Sequence, residues 1–438
     1  MTTLRHPTTP AGAGRPARQA LFKDRNFNWL TAGAVLSMLG DQFTLVALPW
    51  LVLKMSGDPM VLGTVIAMIG VPRAAFLLIG GALVDRHSPK QVLMVTKHVN
   101  TVLLGALALL VWTSALTLPI LYLLALGIGL ATAFSVPSAS SMLPRVVAPS
   151  QLPAANGLML GLRQATFFLG PLLAGVLFAL SSGRAAPGQI ADAGALAVAF
   201  GFDALSFAVS AWTLAKVVQR PLDAKPSAGQ AVLAAVAEGL KSFWRDRPLR
   251  TCLLYWSAVA VLITGPIQIA LPLLADSIPT LGAAALASML AAHGAGTLLG
   301  MAVAGRHPNL RVGSLGLTML AFDAIVALLF MPMGLITASW QGVGLLLAIG
   351  LLGGFMQVAV FTWVQRRVAP AMLGRAMSLF MFIFLGLAPL SAAVTGWLMR
   401  GIALQHLFLG CGAALLAVVA LALLGSPMRQ VTETPAEA

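Results

Sequence analysis

Charge is what this chain has least of. Asp, Glu, Lys and Arg make up 9% of its 438 residues, against roughly 25% in water-soluble domains. So few ionised groups cannot clothe an aqueous surface of this size, which excludes an ordinary soluble globular protein. Asp and Glu number 13 and are scattered. There is no acidic pair, no His-Glu-x-x-His and no glycine-rich phosphate loop, which argues against a membrane-embedded enzyme. The two cysteines, Cys252 and Cys411, each fall inside an apolar run and read as small packing residues, without metal-ligand spacing around them. No cofactor and no metal are expected. The first twenty residues lack the apolar core of a secretory signal, and residues 1–26 read as a disordered cytoplasmic lead.

What the chain does have is hydrophobic length. Apolar residues reach 59%, and stretches of the ~20 residues needed to cross a bilayer recur twelve times, each bounded by Pro, Gly or charge. They run from Phe27 to Leu53, Met60 to Val84, Val92 to Thr113, Leu118 to Val136, Pro153 to Leu180 and Gly194 to Val218. The second series runs from Thr251 to Ala275, Leu281 to Ala304, Val312 to Met333, Trp340 to Val364, Leu373 to Met399 and Ala403 to Leu424. The expected class is an all-α polytopic membrane protein of twelve transmembrane helices.

The net charge of +14 would suggest a nucleic-acid partner if it were spread over a soluble surface. It is topological instead. Of the 27 Lys and Arg residues, all but five fall in the N-terminus, the even-numbered loops with their adjoining span ends, the central linker and the tail. The exceptions are Lys54, Arg184 and Arg400 in odd-numbered loops, and Arg73 and Arg163 inside spans. The positive-inside rule then puts both termini in the cytoplasm, and no nucleic acid is needed to explain the basic balance. Trp29, Trp50, Trp112, Trp340, Trp363 and Trp397 sit near span ends, where an aromatic belt belongs.

An internal repeat relates the two series at a spacing near 221 residues. Asp24-Arg25 recurs as Asp246-Arg247, Ala47-Leu48-Pro49 as Ala270-Leu271-Pro272, and Arg86-His87 as Arg306-His307. Val147-Ala148-Pro149 with Gly175 recurs as Val368-Ala369-Pro370 with Gly396. The expected organisation is two pseudo-symmetric six-helix halves, 27–218 and 251–425. A cytoplasmic linker, 219–250, carries an interfacial helix around Val232 to Trp244, and residues 426–438 form a cytoplasmic tail.

Gly81-Ala82-Leu83-Val84-Asp85-Arg86-His87-Ser88-Pro89-Lys90, after the second span, resembles the loop signature of the major facilitator superfamily. Gly81, Asp85, Arg86 and Lys90 match it; Ser88 and Pro89 depart from it. In the second half Arg306 is kept but Gly305 replaces the acid. The resemblance covers nearly the whole chain. It implies two six-helix halves that rock about a central site, with Asp85 latching a helix N-terminus at the cytoplasmic gate. Gly161 and Gly170-Pro171-Leu172-Leu173-Ala174-Gly175 resemble the Gly-Pro motif of exporters in this family, with Gly170, Pro171 and Gly175 bending the fifth span. Leu39-Gly40-Asp41, Val46 to Trp50, Asn156-Gly157 and Phe202 to Phe207 resemble the branch holding enterobactin and macrolide exporters. The fourth span lacks the Arg that many drug-proton antiporters carry there.

Ionised groups inside a span usually face a cavity or a partner, because burying them in hydrocarbon is costly. Asp41, near the middle of the first span, is the expected proton acceptor or counter-charge for a cationic substrate; a structural ion pair with Arg163 or Arg73 is the alternative. Arg163, at similar depth in the fifth span, is the expected partner that lowers the pKa of Asp41 or meets an anionic substrate, with structural pairing as the alternative, and Arg73, after Pro72 in the second span, is a candidate for a direct role. His293 is a candidate proton relay, or else a hydrogen-bonded core histidine. Gln268 and Gln357 are candidate cavity contacts because the resembling fold lines its pore with those helices. Asp203 and Asp323 fall in the sixth and ninth spans, which the resembling fold packs on the outside, and are expected to be structural. The expected function is secondary active export of a small amphipathic molecule such as a drug, siderophore or secondary metabolite. Alternating access and proton antiport would drive it, in the bacterial inner membrane, with membrane lipid around a single working chain. Import, or lipid flipping by the same fold, is the alternative.

Overall fold

The computed structural model describes residues 21–86, 88–181, 192–220, 244–278, 282–307, 309–368 and 373–431. Twelve membrane-length helices are described. They are α1 (Arg25–Ser56), α2 (Pro59–Arg86), α3 (Pro89–Trp112), α4 (Leu118–Met142), α5 (Leu152–Ser181) and α6 (Ala193–Ala215). The second six are α7 (Arg247–Asp276), α8 (Ala283–Arg306), α9 (Leu315–Phe330), α10 (Ser339–Arg367), α11 (Leu373–Leu398) and α12 (Leu404–Gly425). Eleven of them qualify as membrane spans by length and apolar composition, and α11, 26 residues long, completes the set. The short α9, 16 residues, gains length from a 3-10 turn over Met331–Leu335. The expected interfacial helix, most of the linker, and the lead up to residue 20 lie outside the described residues.

The repeat has a physical counterpart. Asp24 and Asp246 are the N-caps of α1 and α7: Asp24 Oδ1 accepts from the amides of Asn26 and Phe27, and Asp246 Oδ1 from that of Leu249. A carboxylate there satisfies free amide groups and complements the helix dipole. Pro49 and Pro272 sit buried within the same two helices. Gly175 of α5 faces Ala287 of α8, and its counterpart Gly396 of α11 faces Gly63 of α2. These two crossings, α5 with α8 and α2 with α11, join the halves. Small residues serve there because lipid supplies no hydrophobic drive between helices, so close van der Waals approach has to hold them.

Among the described residues the largest apolar core joins the halves towards one end. One apolar core takes in Phe43 to Leu53 of α1, Leu62 and Val65 of α2, Ala174 and Phe178 of α5, Ile269 to Ala275 of α7 and Ala283 to Met289 of α8. It therefore spans both halves near the face where α1 ends and α2 begins. At the other face, where Arg and Lys cluster, the packing separates. Leu21, Phe27, Leu93, Met142 to Val147 and Leu214 form a core of the first half alone, while Leu249 to Ala260, Leu315 to Leu320, Phe355 to Val364 and Met428 form one of the second half alone. Among the described residues the buried clusters at the basic face therefore do not cross between the halves.

Candidate functional site: charged residues where the joint core ends

Asp41 is the seventeenth residue of the 32-residue α1, two residues before the joint core begins at Phe43. Its neighbours Gly40, Gln42 and Phe43 are buried, whereas Asp41 itself is exposed. Its carboxylate is thus exposed halfway along a membrane helix, just where the joint core ends. Arg73 is at the middle of α2, one turn past Gly70, whose α-carbon lies against the Pro389 ring of α11, so it too borders the junction. Arg163 of α5 shares a helical face with Phe167 and Gly170, spaced four and seven residues on; Gly170 packs directly on Gln42 and near Leu39 of α1.

These groups interact by charge more than by contact. The positive charges of Lys97 and Arg73 act on Asp41, and Arg163 acts on Arg73. Among the described residues Asp41 forms no ion pair within 4 Å, so it does not make the structural bridge to Arg163 or Arg73. Arg163 lies over the Phe167 ring at 5.7 Å, and Arg73 Nε is buried without a hydrogen-bond acceptor among the described residues.

Lys97 is the residue that sequence reasoning missed. Counted with the topological charges near a span end, it lies inside α3 with 7% of its surface exposed. Its Nζ donates to Ser210 Oγ at 2.5 Å, approaches Ser37 Oγ at 3.4 Å and stands 5.5 Å from the Phe207 ring centre. The seam between α1 and α6 is built to receive it. Gly33, Ser37 and Gly40 face Asp203, Ser206, Ser210 and Thr213, and a Cβ on Gly33 or Gly40 would collide with those side chains. Asp203 is buried in the same seam, where Thr44 Oγ1 donates to Oδ2 at 2.5 Å and Ser206 Oγ to Oδ1 at 3.3 Å. The repeated small and hydroxyl residues at helical spacing on both helices were the available signal. In the second half Asp323 accepts a hydrogen bond from Tyr255 at 2.7 Å.

At the face opposite the basic one, two ion pairs cross between halves. Lys54 Nζ meets Asp276 Oδ1 at 2.6 Å and lies over the Trp50 ring. That ring packs against Gly282, whose φ of +50° and contact with the indole both disfavour a side chain. Asp58 is paired with Arg400 through both carboxylate oxygens. Hydrogen bonding from Arg400, helped by the Met60 amide, holds the Asp58 carboxyl below its ordinary range.

The profile of the Major Facilitator Superfamily matches residues 30–393. The chain belongs to that superfamily. It is 28% identical over 225 residues to the multidrug efflux pump Tap of Mycobacterium tuberculosis, covering 50% of each chain; the match thus spans about half the length of that relative. An uncharacterised MFS-type transporter of Sinorhizobium fredii is 26% identical over 377 residues, covering 84% of this chain and 87% of the other. The nucleoside transporter NupG superposes with a TM-score of 0.72 at 13% identity, over 90% of this chain and 98% of its own, a likeness of fold. The protein is accordingly a membrane transporter and not an enzyme.

Within this superfamily member, Lys90 of the loop signature donates from Nζ to the carbonyls of Ala215 and Val217, at 3.2 and 2.7 Å. A cation there complements the C-terminus of α6. Gly81, Asp85 and Arg86 lie on α2, but their side chains fall outside the described residues. Pro171 is buried inside α5 between Gly170, against α1, and Gly175, against α8. His293 lies midway along α8, half-buried. Gln268 of α7 is half-buried between Ile267 and Ile269 of the joint core, and Gln357 of α10 is exposed beyond it.

Proposed function

We propose that the protein is a secondary active transporter of the bacterial inner membrane. It exports a small amphipathic molecule in exchange for protons, and Asp41 is the exchanging group. The observation that carries this is the exposed Asp41 carboxylate at mid-helix, where the joint core stops. Positive-inside asymmetry assigns the basic face to the cytoplasm, so the arrangement corresponds to an inward-facing state. A carboxylate in that position holds either a proton or the cationic end of a substrate, and the exclusion of one by the other is the basis of antiport. Closing the basic face and parting the ion pairs at the other face would turn Asp41 to the outside. Similarity to Tap supports the outward direction.

The test is dye-monitored proton movement in everted vesicles, on adding cationic amphipathic compounds to wild type and to Asp41→Asn. Proton release driven by a compound in wild type and lost in the variant supports the reading. Equal release in both removes Asp41 from the coupling.

A further inference from the structure

α8 and α10 pack backbone against backbone. A Cβ on Gly296 or Gly300 of α8 would collide with the carbonyl oxygens of Leu347 and Leu351, and one on Gly350 or Gly354 of α10 with those of His293 and Thr297. The next residue on that face of α8, Ala304, instead lines a cavity of about 110 Å³. Its inner wall is apolar, made by Ala304 with Phe355, Val358 and Ala359 of α10. Its rim is polar. Thr362 and Arg366 follow one and two turns beyond Ala359 on the same face of α10, and Asn309 and Arg311 come from the connection between α8 and α9. The polar half therefore lies at the basic face, where α10 ends. Volume decides the occupant. Sites for drug-sized molecules take roughly 300–1,000 Å³, so a transported compound of that size does not fit. At about 30 Å³ per water, the space holds about four such groups, which is the scale of a single phosphate. Each guanidinium presents five donors in a planar fork suited to phosphate, enough to hold an oxyanion alongside a partner within the protein.

We propose that this cavity seats the headgroup of an anionic phospholipid from the leaflet at the basic face. The phosphate accepts hydrogen bonds from Arg311 and Arg366 at the rim, with Asn309 and Thr362 as neutral donors. The start of the lipid's apolar part lies against Phe355, Val358 and Ala359, and its chains continue in the bilayer. Basic pockets between spans, at a membrane surface that carries negative charge, recognise headgroups in this way. The apolar wall is what favours a lipid over a free phosphate, which gains nothing from it. A lipid so placed ties the end of α10 to the α8–α9 connection just where the glycine packing of the two helices stops. The site is independent of the direction of transport and of the role of Asp41.

Native mass spectrometry of the purified full chain in detergent tests the site, with phosphatidylglycerol and phosphatidylcholine of identical acyl chains as probes. Wild type is expected to retain phosphatidylglycerol about thirtyfold over phosphatidylcholine, the factor for two basic residues acting on an anionic lipid. In Arg311→Gln/Arg366→Gln that ratio falls to near one. Arg311→Gln alone, in the connection and outside the packing of α10, lowers it about fivefold and keeps the test readable if the double variant does not fold. Arg247→Gln/Arg429→Gln removes two exposed charges from the same face outside the cavity and should leave the ratio unchanged. Equal retention of both lipids by wild type overturns the site. So does a preference that survives the double substitution at the cavity, or one that falls as far in the control. Glycerol phosphate, the headgroup chemistry without chains, separates the two sources of the oxyanion. Displacement of phosphatidylglycerol by an equal concentration of it makes the cavity a free-oxyanion site and overturns the lipid assignment, whereas retention of the lipid upholds it.

Discussion

Lys54 and Asp276 lie 222 residues apart, the offset that also separates the N-capping aspartates Asp24 and Asp246, and their side chains meet at 2.6 Å. Equivalent positions of a duplicated unit have acquired opposite charges and pair across the pseudo-symmetry axis. Breaking this pair costs little, because both groups are partly exposed and such bridges contribute about 0.2–1 kcal/mol. Lys54→Asp is therefore expected to shift the population towards an open face there by less than about tenfold. Spin labels at Ser56 and Ser277 would report it as a longer distance component, and Lys54→Asp/Asp276→Lys should restore the wild-type distribution.

The Asp58–Arg400 pair makes the same junction sensitive to acid. Its carboxyl sits below the ordinary range because Arg400 hydrogen-bonds the charged form. A depressed value means that the contact is fully present above the ordinary carboxylate value, near 4, and is lost as pH falls through the lowered one. Acidification below about pH 4 should lengthen a label-to-label distance between α2 and α11 at this end, and Asp58→Asn should abolish that dependence.

Close packing in the α1–α6 seam predicts a contrast between two glycines. A Cβ at Gly40 collides with Ser206 and Asp203, while one at Gly105 of α3 meets nothing within 4 Å. Gly40→Ala should destabilise by about 1–3 kcal/mol, as overpacking does. Gly105→Ala should be neutral or stabilising, since Ala favours a helix by up to ~1 kcal/mol. Thermal unfolding in detergent would compare them; equal melting temperatures would contradict the seam.

The Tyr255–Asp323 hydrogen bond ties α7 to α9. Tyr255→Phe is expected to cost about 0.6–1.7 kcal/mol, the span found for such bonds within membranes. Tyr255→Phe/Asp323→Leu should recover part of that loss by removing the orphaned acid. Unfolding midpoints measure both, and an unchanged midpoint in Tyr255→Phe would refute a structural role for the pair.

Helix positions were legible because apolar length is local information: α5 begins and ends within one residue of the expected span, Leu152–Ser181 against Pro153 to Leu180. The fourth span was read six residues short, since Pro137 and the serines around it look like a helix end. In the structure α4 continues to Met142, with Ser138 and Ser141 bonding back to carbonyls of their own helix. Asp41, Arg73 and Arg163 were legible as charges out of place in hydrocarbon. Lys97 was not, because eight residues from the start of α3 a lysine is indistinguishable from one that snorkels to the headgroups.

By itself the sequence determined the number of spans, the duplication and the charge asymmetry of the two faces, since length, period and Lys/Arg placement are carried along the chain. Only the tertiary structure decided that Lys97 turns inward to Ser37 and Ser210, that Asp41 is exposed without a direct ion pair among the described residues, and that the largest core among them spans both halves near one face. Those outcomes depend on helix rotation and on how small residues let one backbone approach another. In an apolar medium, where lipid-facing and packed surfaces are alike hydrophobic, the pattern of hydropathy does not encode which face of a helix meets which neighbour.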